Sequence, residues 1–184
     1  MNSKFNKQKS RFLLVSGSSY SLVNFRGPLV QSLISAGLEV HVASPGLHDD
    51  PRTCRQLEAW GVFVHDIPMQ RTGLNPWHDF LTLKSLYLLM RNIRPDVVMG
   101  YTIKPVVYGM LAAWLAKVPQ RYALITGLGY AFAGEARGKR ALVFHLVRRL
   151  YSAALNKVDK VFFQNPDDET LFRQLGILRD RVPS

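Results

Sequence analysis

Six short apolar runs recur along the chain, and a segment with helical spacing stands between each pair. The runs are Arg11–Ser16, Glu39–Ser44, Val62–Ile67, 97–99, Gln120–Thr126 and Lys160–Gln164. Regular alternation of this kind predicts an α/β fold, a parallel sheet with helices on both faces. Val97, Val98 and Met99 are apolar in a row, as suits a strand covered on both sides.

The segments between the runs carry helix signals. One helix extends to Ala36 with Gly37 as its stop, and Pro28 marks either its regular start or a kink. Others are expected at Pro51–Trp60, from about Trp77 to Asn92, after Pro105, and from about Lys139 to Asn156. Along the third of these, Leu83, Tyr87, Met90 and Arg94 share a face, with Phe80, Leu86 and Ile93 beside it. That apolar surface is wider than a one-sided helix needs, which fits extra core or a lipid-facing patch. Asn165-Pro166-Asp167-Asp168 opens a last helix with a capping residue, a proline and two acids.

Six such units suit the strand order 3-2-1-4-5-6, a Rossmann-like arrangement. The first and fourth strands are then neighbours, and a crevice opens at their carboxyl ends. Three loops converge there: Gly17 to Ser21 after the first strand, Tyr101 to Lys104 after the fourth, and Gly127 to Gly129 after the fifth. Glycines admit a ligand close to backbone N–H groups, and a helix start with a nearby ammonium favours an anion. Plainer readings are tight turns at Gly17, Gly127 and Gly129, a capping hydroxyl at Thr102 and a solvated lysine at Lys104. The anion reading requires the Lys104 ammonium to be near the Gly17 turn and free of an internal partner.

A chain of 184 residues fits one domain or half of a larger protein. Residues 1–10 are a polar, basic tail expected to be flexible, and 11–184 form the domain. The net charge of +11 calls for an anionic partner: nucleic acid, a membrane face or a phosphorylated substrate. Cys54 stands alone, so no internal disulfide forms and a reducing, cytoplasmic compartment is expected. No apolar run reaches the ~20 residues that span a bilayer, and the start of the chain lacks a signal-peptide core.

Several chemistries lack their signatures. The first turn is Gly-Ser-Ser-Tyr-Ser rather than G-x-G-x-x-G, and neither G-x-x-x-x-G-K-[ST] nor G-x-S-x-G occurs. The five histidines are scattered, and no metal or other cofactor is expected.

The chain resembles the N-terminal half of GT-B glycosyltransferases of family 4, in particular bacterial enzymes that extend an undecaprenyl-diphosphate-linked sugar, such as N-acetylgalactosaminyltransferases. The likeness rests on Ser16-Gly17 with Asn24-Phe25-Arg26-Gly27-Pro28-Leu29, on Arg71-x-Gly73-x-Asn75-Pro76, and on Arg94-Pro95-Asp96-Val97-Val98. It continues through Tyr101-Thr102-Ile103-Lys104-Pro105 with Tyr108-Gly109, and Thr126-Gly127-Leu128-Gly129-Tyr130-Ala131-Phe132. The resemblance implies an acceptor-binding half, with a second half that holds the nucleotide sugar through a Glu-x7-Glu motif. It implies transfer with retention of configuration and no bound metal. This piece is expected to be inactive alone.

On that reading Gly17, Ser18, Arg71, Asn75, Thr102, Lys104, Gly127 and Gly129 surround the acceptor or its phosphates. Arg137, Lys139, Arg140, Arg148 and Arg149 hold the domain on the anionic inner face of the cell membrane. The partners are a nucleotide-sugar donor, a lipid-linked glycan acceptor and the membrane surface, with no nucleic acid. Catalytic residues are unassigned. The alternative is a stand-alone Rossmann-like domain that binds nucleotides or nucleic acid. An epimerase-like enzyme is a third reading, weakened by the missing glycine fingerprint.

Overall fold

The computed structural model describes residues 9–73, 75–127, 139–179 and 182–184, with the backbone alone at 139 and 140. Among them six strands form one parallel sheet in the order β3-β2-β1-β4-β5-β6. They are β1 Arg11–Val15, β2 Glu39–Ser44, β3 Phe63–Asp66, β4 Val97–Tyr101, β5 Gln120–Ile125 and β6 Lys160–Phe163. The helices are α1 Ser19–Asn24, α2 Gly27–Ser35, α3 Pro51–Ala59, α4 Pro76–Ile93, α5 Met110–Leu115, α6 Lys139–Leu155 and α7 Pro166–Gln174. A π-helical turn, Pro105–Gly109, leads into α5.

Side chains alternate along a strand, so each strand feeds two cores. Leu13 and Val15 of β1 join Val98, Leu86, Met110 and Tyr151 beneath α4, α5 and α6. Phe12 and Leu14 join Val40, Leu22, Val30 and Leu57 beneath α1, α2 and α3. The segments that follow β1 and β4 therefore leave the sheet on opposite faces. This is the topology expected from the alternation, and it opens the crevice between the two strands.

Pro28 starts a helix rather than kinking one: α1 ends at Asn24, and α2 begins at Gly27 with Pro28 in its first turn. Asn165 caps α7 by accepting from the Asp167 N–H at 3.0 Å. The stripe expected on α4 is displaced. Its buried residues are Asp79, Thr82, Leu86, Met90 and Ile93, while Phe80 is exposed. On α5 the buried positions are Met110, Ala112 and Ala113, and Trp114 is exposed. On α6, Val147, Tyr151, Ala154 and Leu155 are buried and Val143 is exposed.

The π turn is pressed onto β4. A Cβ at Gly100 would lie 2.7 Å from the Pro105 carbonyl oxygen and 3.1 Å from the Met110 Cε. Only a glycine fits there, and its absence of side chain brings the loop after β4 over the sheet edge.

Candidate functional site

The register of β1 on β4 builds the site. Val15 pairs with Gly100, so two residues further on Gly17 faces Thr102. The contact is close: a Cβ at Gly17 would sit 2.9 Å from the Thr102 Oγ1. Thr102 is held at φ 70°, a left-handed conformation that costs a non-glycine residue about 1–3 kcal/mol. Gly127, at φ 141°, lies two residues past the end of β5 and lines the same cleft. A cleft of about 1240 Å³ opens over these turns, bounded also by Arg71 to Gly73 and by Val143, Val147 and Leu150 of α6.

A hydroxyl chain runs from Ser21 and Tyr101 on its floor down to the buried Ser16. Ser16 and Ser21 share a hydrogen bond of 3.0 Å, and Ser21 and Tyr101 share one of 2.7 Å. The Ser18 N–H donates to the Ser16 Oγ at 3.1 Å, and the Ser21 hydroxyl donates to the Ser18 carbonyl at 2.8 Å. Burial pushes the Tyr101 phenol up, outweighing the hydroxyls and the Arg26 charge that oppose it. The Arg26 guanidinium lies over the Tyr101 ring, 4.9 Å from its centre.

Three cations line the cleft among the described residues, Arg26, Arg71 and Lys104, and no carboxylate does. They differ in what satisfies them. The Lys104 ammonium donates to the Asp79 Oδ1 at 2.7 Å, with both side chains largely buried. A buried ammonium requires a counter-charge, and α4 supplies it from below. Tyr108 lines the same wall, and its phenol is pushed up first by burial and then by the Asp79 carboxylate. Arg26 and Arg71 have no ion pair among the described residues.

A model of the glycosyl transferase 4-like domain matches residues 25–183. The chain belongs to that family. The glycosyl transferase 4-like domain is also 29% identical over 175 residues to the N,N'-diacetylbacillosaminyl-diphospho-undecaprenol alpha-1,3-N-acetylgalactosaminyltransferase of Campylobacter jejuni. That match takes in 94% of this chain and 44% of the relative, so the chain spans less than half of that protein's length.

Solved structures share the fold. A glycosyltransferase from Rickettsia africae superposes with a TM-score of 0.60 at 17% identity, over 95% of this chain and 42% of that one. A UDP-GlcNAc 2-epimerase from Neisseria meningitidis, bound to UDP-GlcNAc, gives 0.62 at 16%, over 94% and 46%. Transferases and epimerases alike use this sheet, so the architecture alone does not choose between them. Family membership comes from the sequence match.

Gly17, Ser18, Arg71, Thr102, Lys104 and Gly127 of the expected site all line the cleft. Two of the expected roles differ from the geometry. Lys104 was expected to offer a free cation, and its charge is instead matched by Asp79. Asn75 was expected at the acceptor; its side-chain oxygen accepts from the Trp77 and His78 N–H groups at 3.1 and 3.4 Å, capping α4, and it does not line the cleft. Gly129 and Arg137 lie outside the described residues, as do the side chains of Lys139 and Arg140. Arg149 is exposed and Arg148 half-buried on α6. Sequence reasoning passed over Arg26, although it sits in the quoted Asn24–Leu29 segment; the ring it covers is 75 residues away in the chain.

Among the described residues no helix is long and apolar enough to cross a membrane, and no group of three or more His, Cys, Asp or Glu side chains could hold a metal.

Proposed function

We infer that this domain is the acceptor-side half of a retaining glycosyltransferase. The reaction moves a sugar from a nucleotide-sugar donor to a lipid-diphosphate-linked acceptor, in the synthesis of a cell-surface polysaccharide. The observation that carries this reading is the cleft over Gly17 and Thr102, lined by Arg26 and Arg71, which have no ion pair among the described residues, and by no carboxylate, in a glycosyl transferase 4-like domain; Lys104, neutralised by Asp79, adds no free charge to it. A diphosphate is doubly anionic or more, and such a wall offsets its charge where a carboxylate would repel it. The polar floor of Ser18, Ser21 and Tyr101 offers donors and acceptors to sugar hydroxyls. The relative in Campylobacter jejuni is named for an undecaprenol-diphosphate acceptor, which agrees in kind.

The site on this reading comprises Gly17, Ser18, Arg71, Thr102 and Gly127, with Lys104 as a charged strut beneath them. The donor's nucleotide is held mainly by a second half. The domain sits peripherally on the cytoplasmic face of the cell membrane. Leu142 and Leu146 of α6 are exposed, as is Arg149, a mixture of apolar and basic groups suited to an anionic lipid surface.

The test is sedimentation with neutral vesicles that carry either a polyprenyl-diphosphate-linked sugar or the same polyprenol without the diphosphate. More protein should sediment with the diphosphate. Equal sedimentation would remove the lipid-diphosphate acceptor from the reading. The alternative, a nucleotide- or nucleic-acid-binding domain, would show instead as retention of single-stranded oligonucleotide at physiological salt.

A further inference from the structure

We propose that Arg26 is the anion-gripping residue of the cleft, seated on the face of Tyr101 so that its free guanidinium edge receives a diphosphate. The inference rests on the reading of the cleft given above and assigns the contact to a residue outside the expected set. Three observations carry it. First, Arg26 lines the cleft on the wall that follows β1. Second, its Nε is buried and has no hydrogen-bond partner among the described residues. Among the described residues the guanidinium has one protein bond, a long donation of 3.3 Å from Nη1 to the adjacent Phe25 carbonyl. Third, the group is held in place from below: the Tyr101 ring lies 4.9 Å from it, and that ring is fixed by the 2.7 Å bond between its hydroxyl and Ser21.

A buried donor left without a partner costs about as much as a lost hydrogen bond, a cost that an occupant of the cleft relieves if the guanidinium shifts towards it. The occupant must be an acceptor and gains from being an anion. The planar fork of a guanidinium matches two oxygens of a phosphate group, whereas an ammonium offers a point charge. Stacking on an aromatic face spares side-chain entropy when the ligand arrives. Lys104 cannot serve the same purpose with its ammonium already 2.7 Å from Asp79. Arg71, exposed where it lines the cleft, adds charge without comparable fixing.

A diphosphate could reach this seat on a lipid carrier or on a nucleotide sugar. The experiment is calorimetric titration of the 184-residue chain at low salt with inorganic pyrophosphate, a short prenyl diphosphate and UDP-GlcNAc. The wild type should bind pyrophosphate and the prenyl diphosphate, and Arg26→Gln should weaken both at least tenfold. Arg26→Lys should recover only part, because the fork is lost. Preference for the prenyl compound identifies the lipid source; preference for UDP-GlcNAc identifies the nucleotide source. The Arg26 Nε–H resonance of the wild-type chain, followed during the pyrophosphate titration, gives a reading that needs no variant. It should shift in step with binding. Binding unchanged in Arg26→Gln, or an Nε–H signal that stays still while others move, overturns the assignment of Arg26 and leaves the diphosphate reading standing. A wild-type chain that binds none of the three compounds overturns both.

Discussion

The Lys104 Nζ and the Asp79 Oδ1 lie 2.7 Å apart beneath the cleft, joining the start of the π turn to the first turn of α4. The pair is internal bracing. Removing one partner strands the other charge in a low-dielectric site, which costs about 3–5 kcal/mol. Asp79→Ala should therefore lower the urea midpoint sharply. Replacing both, as Asp79→Leu with Lys104→Met, should restore most of the loss, since an apolar pair of similar volume is often as stable. A double variant as unstable as the single one would mean that the charges do more than neutralise each other.

Gly17 and Thr102 make a second mutual constraint. Gly17→Ala places a methyl 2.9 Å from the Thr102 Oγ1, closer than such atoms approach, and should cost about 1–3 kcal/mol through forced displacement. Thr102→Gly removes that oxygen and relieves the left-handed backbone at φ 70°. Thermal melting of the Gly17→Ala, Thr102→Gly double variant should recover the stability of the wild type. Failure to recover would place the strain elsewhere in the turn.

These relationships mark where the sequence stops being readable. The six strands announce themselves because each is a local apolar run, and their order follows from alternation and connection rules. The stripe of α4 did not, because its buried face begins with Asp79 and Thr82, which a count of apolar residues skips. Those two are buried because their polar atoms have partners: Lys104 for Asp79, and the Pro68 and His78 carbonyls for the Thr82 hydroxyl. Lys104 was legible as a cleft residue from its place after β4. Its neutralisation was not, since the counter-charge lies 25 positions earlier on another element. Arg26 was hidden for the same reason: a stacked, half-satisfied guanidinium is a property of contacts and not of spacing.

The β2–β3 edge carries a pH-sensitive cluster. The rings of His41 and His65 share a hydrogen bond of 3.0 Å, His41 also bonds Glu39 at 3.0 Å, and Arg11 pairs with that same carboxylate at 2.9 Å. Burial, and then the neighbouring His41, bring the His65 pKa down from 6.5 to about 4. The folded state therefore binds fewer protons at this site than the unfolded chain between those values. Stability from this group is complete above about pH 6.5 and is lost as pH falls towards 4. Glu39 is lowered chiefly by its bond from His41, so its own contribution is lost only as pH falls below the ordinary carboxylate value of 4.5. In melting curves from pH 7 to pH 4.5, His65→Gln should lose less stability than the wild type, because glutamine keeps a hydrogen-bonding group without a titrating one. Parallel losses over that range would take His65 out of the acid sensitivity.

The exposed side of α6 yields the last expectation. Leu142 is 74% exposed and Leu146 45%, and neither contributes to a core cluster. Each leaves apolar area in water that a bilayer interface would take up at about 25 cal/mol per Å². Arg149, on the same helix, adds about 1 kcal/mol at most beside anionic headgroups. Because these side chains are already outside the fold, Leu142→Asp and Arg149→Glu should leave the melting temperature almost unchanged. Sedimentation with vesicles rich in anionic lipid should fall severalfold for each and further for the pair. Raising the salt should close most of the difference between Arg149→Glu and the wild type and only part of that for Leu142→Asp, because screening removes the repulsion of the new carboxylate and leaves the lost apolar area. Undiminished sedimentation of the double variant would move the membrane contact off α6. The exposed Trp77 and Phe80 pair, stacked 5.9 Å apart on the first turns of α4, would then be the next surface to alter.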